Sequence, residues 1–167
     1  MKYLFIIIAL LILGHSVYSQ KSYLIEGKDY CGYVFTKEHS IYGFPPESNR
    51  CTLTEENIIQ AEAILKKNIS TEYVKKYVKS WQSTWKARFH LNKMNLKKYY
   101  RQYVGYLTQN NEVVVHIFLI RKSLIIDIIK EMSEDIVAIF DGGSDFWSIC
   151  INLHTEQVFN MEVNGIG

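Results

Sequence analysis

Residues 99–107, 113–120, 136–140, 146–153 and 158–163 form short runs rich in β-branched and aromatic residues. Each is bounded by turn chemistry, so the C-terminal part of the chain predicts a set of strands. The run 136–140 is apolar throughout and reads as a central strand. Gln109-Asn110-Asn111 and His154-Thr155-Glu156-Gln157 predict hairpin turns, because Asn tolerates left-handed backbone angles. Asp141-Gly142-Gly143-Ser144 predicts a turn in which a glycine takes a positive φ.

Upstream the period changes to that of a helix. Ile58, Ala61, Ile64, Leu65 and Ile69 recur at helical spacing behind Thr54, a good N-cap, with Glu55 and Glu56 in the first turn. Asn57 takes the place that Glu or Gln holds in a strict capping box. A second helix starts at Ser70 or Thr71. Its Tyr73, Tyr77, Trp81, Trp85 and Phe89 lie four apart, which draws a stripe expected to face a core, and it frays near Asn92 and Asn95. Residues 121–135 read as a short helix or an irregular crossover.

Residues 20–51 carry few periodic signals. Gly27, Gly32, Gly43 and Pro45-Pro46 predict an irregular arm with a short strand over 33–36, and its aromatics predict packing on the domain. Residues 1–19 read as a signal peptide: Lys2, the apolar run 4–13, and a small-x-small site at Val17-Tyr18-Ser19, with Gln20 as the mature N-terminus. The organisation expected is thus a signal at 1–19, an arm at 20–51 and one α+β domain at 52–167. In that domain N-terminal helices pack on a mainly antiparallel sheet of four to five strands.

Export brings the cysteines into the argument. An oxidising compartment allows one bridge among Cys31, Cys51 and Cys150. Cys31 and Cys51 flank an irregular segment within the arm and are the expected pair, while Cys150 alternates within a strand as a small buried hydrophobe. No Cys-x-x-Cys spacing exists, and no metal or cofactor is expected.

Net charge conceals a polarity. Residues 73–111 hold nine basic residues and no acidic one, between two acidic flanks. Lys86, Arg88, Lys97, Lys98 and Arg101 are therefore candidates for binding an acidic polymer, with the alternative that the lysines are the solvated face of an amphipathic helix and pair with the acidic C-terminal half. Nucleic acid is not an expected partner of an exported protein, nor is a membrane once the signal is removed. Asp141 and Asp145 are candidates for a binding site or, in a lesser reading, for a hydrolase. Otherwise the motifs of catalysis are absent: no His-Glu-x-x-His, no Gly-x-Ser-x-Gly elbow and no glycine-rich phosphate loop.

Leu53-Thr54-Glu55-Glu56-Asn57-Ile58 with Ala61-Glu62, Tyr99-Tyr100-Arg101-Gln102-Tyr103-Val104-Gly105-Tyr106, and Asp141-Gly142-Gly143-Ser144 with Val163-Asn164-Gly165 occur in this order. Together they resemble a family of small secreted proteins of unknown function from Bacteroidetes-type bacteria. The resemblance covers roughly residues 51–165 and implies a periplasmic or secreted protein, with no catalytic residues to carry over. The helix-then-meander order also resembles cystatin-like or PepSY-like folds. The sequence thus predicts an exported, non-enzymatic module that binds or inhibits a peptide or protein.

Overall fold

The computed structural model describes residues 21–41, 49–69, 95–124, 131–137 and 142–164. They form an α+β fold around a seven-stranded, mostly antiparallel sheet. The strands are β1 (Ser22–Glu26), β2 (Cys31–Phe35), β3 (Arg50–Cys51), β4 (Tyr99–Leu107), β5 (Val113–Arg121), β6 (Phe146–Asn152) and β7 (Val158–Val163). Their order is β1-β2-β4-β5-β6-β7. β3 pairs antiparallel with the end of β4, beside the stretch where β2 pairs with β4 in parallel.

The alternation in the sequence becomes two faces. On one, Tyr103, Val115, Ile117, Leu119, Trp147, Ile149 and Ile151 meet helix α1 (Glu55–Asn68) through its Ile58, Ala61, Ile64 and Leu65. On the other, Phe35, Val104, Phe118, Ile120 and Phe146 pack with Met132 of helix α2 (Glu131–Glu134) and with Val137. Both faces of β4 to β6 are therefore withdrawn from water, which makes this the stable centre of the molecule.

Helix α1 begins where the sequence placed it. Thr54 Oγ1 accepts from the Asn57 backbone N–H, and Asn57 Oδ1 accepts in return from the Thr54 N–H at 3.0 Å. Asn57 thus completes the capping box that its type was expected to interrupt, because its shorter side chain still reaches the N-cap amide.

Several expectations change. Residues 20–51 are not an irregular arm where they are described. Lys21 O accepts from Thr36 N–H at 3.0 Å, Gly27 N–H donates to Tyr30 O at 2.9 Å, and the β1–β2 hairpin between them joins the main sheet. The sheet consequently has seven strands rather than four or five. Ile136 and Val137 lie outside any strand, and 138–140 fall beyond the described residues. Gln102 holds this stretch instead: its Nε2 donates to Met132 O and Asp135 O, and its Oε1 accepts from Val137 N–H. Of the two N-terminal helices expected, α1 is present; the second, together with the signal peptide, lies outside the described residues. Within 121–135 the short-helix alternative is realised at α2, after a 3-10 turn at Lys122–Leu124.

The expected Cys31–Cys51 bridge is absent, and both thiols are free. Register explains this. Cys51 lies opposite Gly105 and packs toward α1, whereas Cys31 adjoins Gly32, the partner of Arg101, and so points to the reverse face. The two positions are also about five residues apart along β4, roughly 16 Å, far beyond disulfide reach. Cys150 is buried, as expected; burial pushes its thiol up to about 11.

The glycine turn is confirmed at both glycines. Gly142 has φ 112° and Gly143 φ 51°, and a 3-10 turn at Gly143–Asp145 leads into β6. A side chain at either angle is strained, so Gly142→Ala and Gly143→Ala should each lower stability by about 1 kcal/mol or more. Thermal melts of the two variants against the parent check this, and an unchanged melting temperature in both would remove the turn's dependence on glycine. Asp141 lies outside the described residues.

Candidate functional site

The candidate residues that are described do not gather into one centre. Lys86, Arg88 and Asp141 lie outside the described residues. Lys97 and Lys98 are exposed on the 3-10 turn that precedes β4. Arg101, three residues on, is fully buried. Its Nε donates to Glu62 Oε1 of α1 at 3.0 Å, and Nη1 donates to the carbonyls of Leu96 and Tyr99. Tyr103 OH donates to the same Glu62 oxygen at 2.9 Å. Burial, reinforced by the Glu62 charge, holds the Tyr103 hydroxyl well above its ordinary pKa. The triad ties α1 to β4; Arg101 is a structural cation and presents nothing to a ligand at the surface.

Asp145 is likewise occupied. It accepts from Arg121 Nη1 at 2.6 Å, beside the bond from Tyr99 OH to Ser144 O at 2.9 Å, and these contacts hold the turn against the ends of β4 and β5. Arg101 and Asp145 therefore serve separate ion pairs. Two further pairs, Lys66–Asp29 at 2.8 Å and Lys67–Glu156 at 2.7 Å, sit at the surface, where each contributes little to stability. Lys66, by hydrogen bond and charge, with lesser contributions from Lys28 and Lys97, holds the Asp29 carboxyl below its usual range. Arg101 is paired internally, but with Glu62 of the N-terminal flank and not with the acidic C-terminal half. Among the described residues no group of three His, Cys, Asp or Glu side chains is placed to hold a metal ion.

Among the described residues two concave surfaces stand out, and the motifs of the sequence pointed to neither. The first follows β1, the outermost described strand on its side of the sheet. The bonds of Lys21 and Gly27 to β2 fix the parity of the hairpin, so odd-numbered residues of β1 bond inward. The backbone N–H and C=O of Leu24 and Glu26 consequently point away from the sheet. Leu24 is 56% exposed, an unusual state for a leucine in a strand. A groove of about 600 Å³ runs beside it, lined by Lys21, Ser22, Tyr23, Leu24, Tyr33 and the α2 residues Ser133 and Glu134. Ser22 Oγ bonds to Ser133 O and fixes the α2 wall against the strand. Tyr23 OH donates to Leu53 O at 2.7 Å and anchors β1 on the opposite face.

The second is a cleft of about 430 Å³ between the start of α1, the β4–β5 turn and the β6–β7 turn. Asn57, Gln60, Asn110, Asn111, Glu112 and His154 supply its polar walls, and Val113 and Leu153 its apolar part. An edge strand and a cleft between turns leave little trace in a linear pattern.

No helix among the described residues is long and apolar enough to cross a membrane. No family model matches the chain, and no curated protein and no solved structure matches it either.

Proposed function

We infer that the protein is an exported, non-enzymatic binding module that takes an extended peptide of a partner protein as an added strand on β1. The outward-facing backbone of Leu24 and Glu26, bordered by the groove, is the observation that carries this reading. An unpaired strand edge supplies main-chain hydrogen bonds to any extended peptide, and an adjacent pocket supplies the choice of side chain. Charge adds an orientation. Lys21 and Glu26 are exposed at opposite ends of the β1 stretch, so an antiparallel peptide fits with a basic residue near Glu26, an apolar one over Leu24 and Tyr33, and an acidic one near Lys21.

Leu24→Pro tests the reading. Proline removes only the outward N–H of Leu24 and is tolerated on an edge where that N–H is not used within the sheet. The substitution should leave the far-ultraviolet spectrum and the melting temperature close to those of the parent. Binding of a peptide selected against the parent from a random display library should weaken at least about tenfold, measured by fluorescence anisotropy. Equal affinity of parent and variant for every selected peptide would refute strand addition at β1.

A further inference from the structure

The polar cleft between the start of α1 and the β4–β5 and β6–β7 turns has a composition that narrows what it can hold. None of its lining residues is Lys or Arg, so nothing there compensates an anion. Glu112 is its single carboxylate, too few for a hard divalent cation, which takes several oxygen ligands of this kind. Val113 and Leu153 alone provide apolar surface, against the mainly apolar lining that drug-sized hydrophobic ligands need. What the walls do offer is four carboxamides, a carboxylate and an imidazole, groups that together donate and accept hydrogen bonds in comparable number. A ligand dense in neutral hydroxyls, each of which also donates and accepts, matches that inventory.

The walls are also held in place before any ligand arrives. Glu112 Oε2 accepts from Asn152 Nδ2 at 2.7 Å, and Asn152 Oδ1 accepts from the backbone N–H of His154 and Thr155. Gln60 Nε2 donates to Leu153 O at 2.9 Å, which keeps its carbonyl oxygen for other use. Thr108 Oγ1 accepts from the N–H of Asn110 and of Glu112, and Thr108 N–H donates to Glu112 O. Asn57 is fixed by its role in the α1 cap. The side chains of Asn110, Asn111 and His154, by contrast, make no hydrogen bond to other described residues. Fixed walls with unused polar atoms bind at a smaller ordering cost than a mobile surface does.

We propose that this cleft is a saccharide-binding site for neutral, hydroxyl-rich chains. Glu112 and Gln60 accept from vicinal hydroxyls, and the carboxamides of Asn110 and Asn111 with the ring of His154 complete the contacts. The site is independent of the peptide edge and stands or falls apart from it.

The test is a titration of isotope-labelled protein with maltotetraose, cellotetraose, chitotetraose and xylotetraose, followed by amide chemical shifts. At least one tetraose at millimolar concentration should shift the amides of Asn110, Asn111, Glu112 and His154 while leaving those of Leu24 and Glu26 unmoved. His154→Ala truncates an exposed side chain and should weaken that binding roughly tenfold while keeping the melting temperature; Gln60→Ala, which also gives up the bond to Leu153 O, should weaken it at least as much with a small loss of stability. Should either variant lose its fold, Glu112→Gln, which keeps the shape of the side chain, replaces it and should show the same direction. No shift with any tetraose, shifts scattered over the surface, or affinities unchanged in all folded variants would each overturn the proposal. So would a shift at these amides produced by butylamine and by no saccharide, since Glu112 would then be serving a cationic amine.

Discussion

Arg101→Met should lower the free energy of unfolding by about 3–5 kcal/mol, the range for removing one partner of a buried ion pair. The substitution keeps the length of the side chain and removes the charge that faces Glu62. The Glu62 carboxylate then stays enclosed between α1 and β4 with only Tyr103 OH to bond. Most of the loss is therefore the cost of an uncompensated buried charge and not the strength of the pair itself. The double variant Glu62→Leu with Arg101→Met removes both charges and should regain most of the loss. Tyr103→Phe should cost far less than Arg101→Met, because the carboxylate keeps its cation. Urea denaturation at neutral pH of the two single variants and the double variant measures all three. A loss below about 1 kcal/mol for Arg101→Met, the level of a surface pair, would show that Glu62 is not held as an enclosed charge.

Gly32→Ala carries the second large effect. A Cβ at Gly32 would lie 2.0 Å from the Arg101 carbonyl oxygen and 2.7 Å from the Arg101 Cβ, atoms of the neighbouring strand that cannot turn aside. Gly32 is the residue that faces Arg101 where β2 joins β4 in parallel. The added methyl should force the strands apart and cost about 3 kcal/mol or more, at the upper end of overpacking effects. The loss should be local: amide exchange should quicken over β1 and β2 while β4 to β7 keep their protection. Gly27→Ala is the comparison. Its Cβ would meet the end of the Tyr30 ring at 2.4 Å, a side chain that can rotate away, so its cost should be smaller. Equal stability of Gly32→Ala and the parent would mean that β2 is not held against β4 at this distance.

The local chemistry of the chain determined the parts of the fold that close over short distances. Thr54 and the helical spacing of Ile58, Ala61, Ile64 and Leu65 specified α1. The Asn110-Asn111 turn between two alternating runs specified the β4–β5 hairpin, and Asn111 does take a positive φ of 61°. Gly142 and Gly143 specified the entry to β6. In each case the partner residues lie within a few positions, so backbone preference alone decides.

Tertiary structure decided the rest, because the deciding partners are distant in sequence. β2 pairs with β4 across about seventy residues, and nothing in Cys31-Gly32-Tyr33-Val34-Phe35 names that partner or its parallel sense. The faces of Cys31 and Cys51 follow from that register, so their failure to pair could not be read from spacing. Arg101 looked like one more member of a basic surface. It is buried because β4 is covered on both faces, where alternation no longer separates core from solvent, and because Glu62 of α1 lies opposite to neutralise it. The two concave surfaces arise the same way: the β1 edge exists only because β2 turned its other side to β4, and the polar cleft only because three chain reversals meet at one end of the sheet.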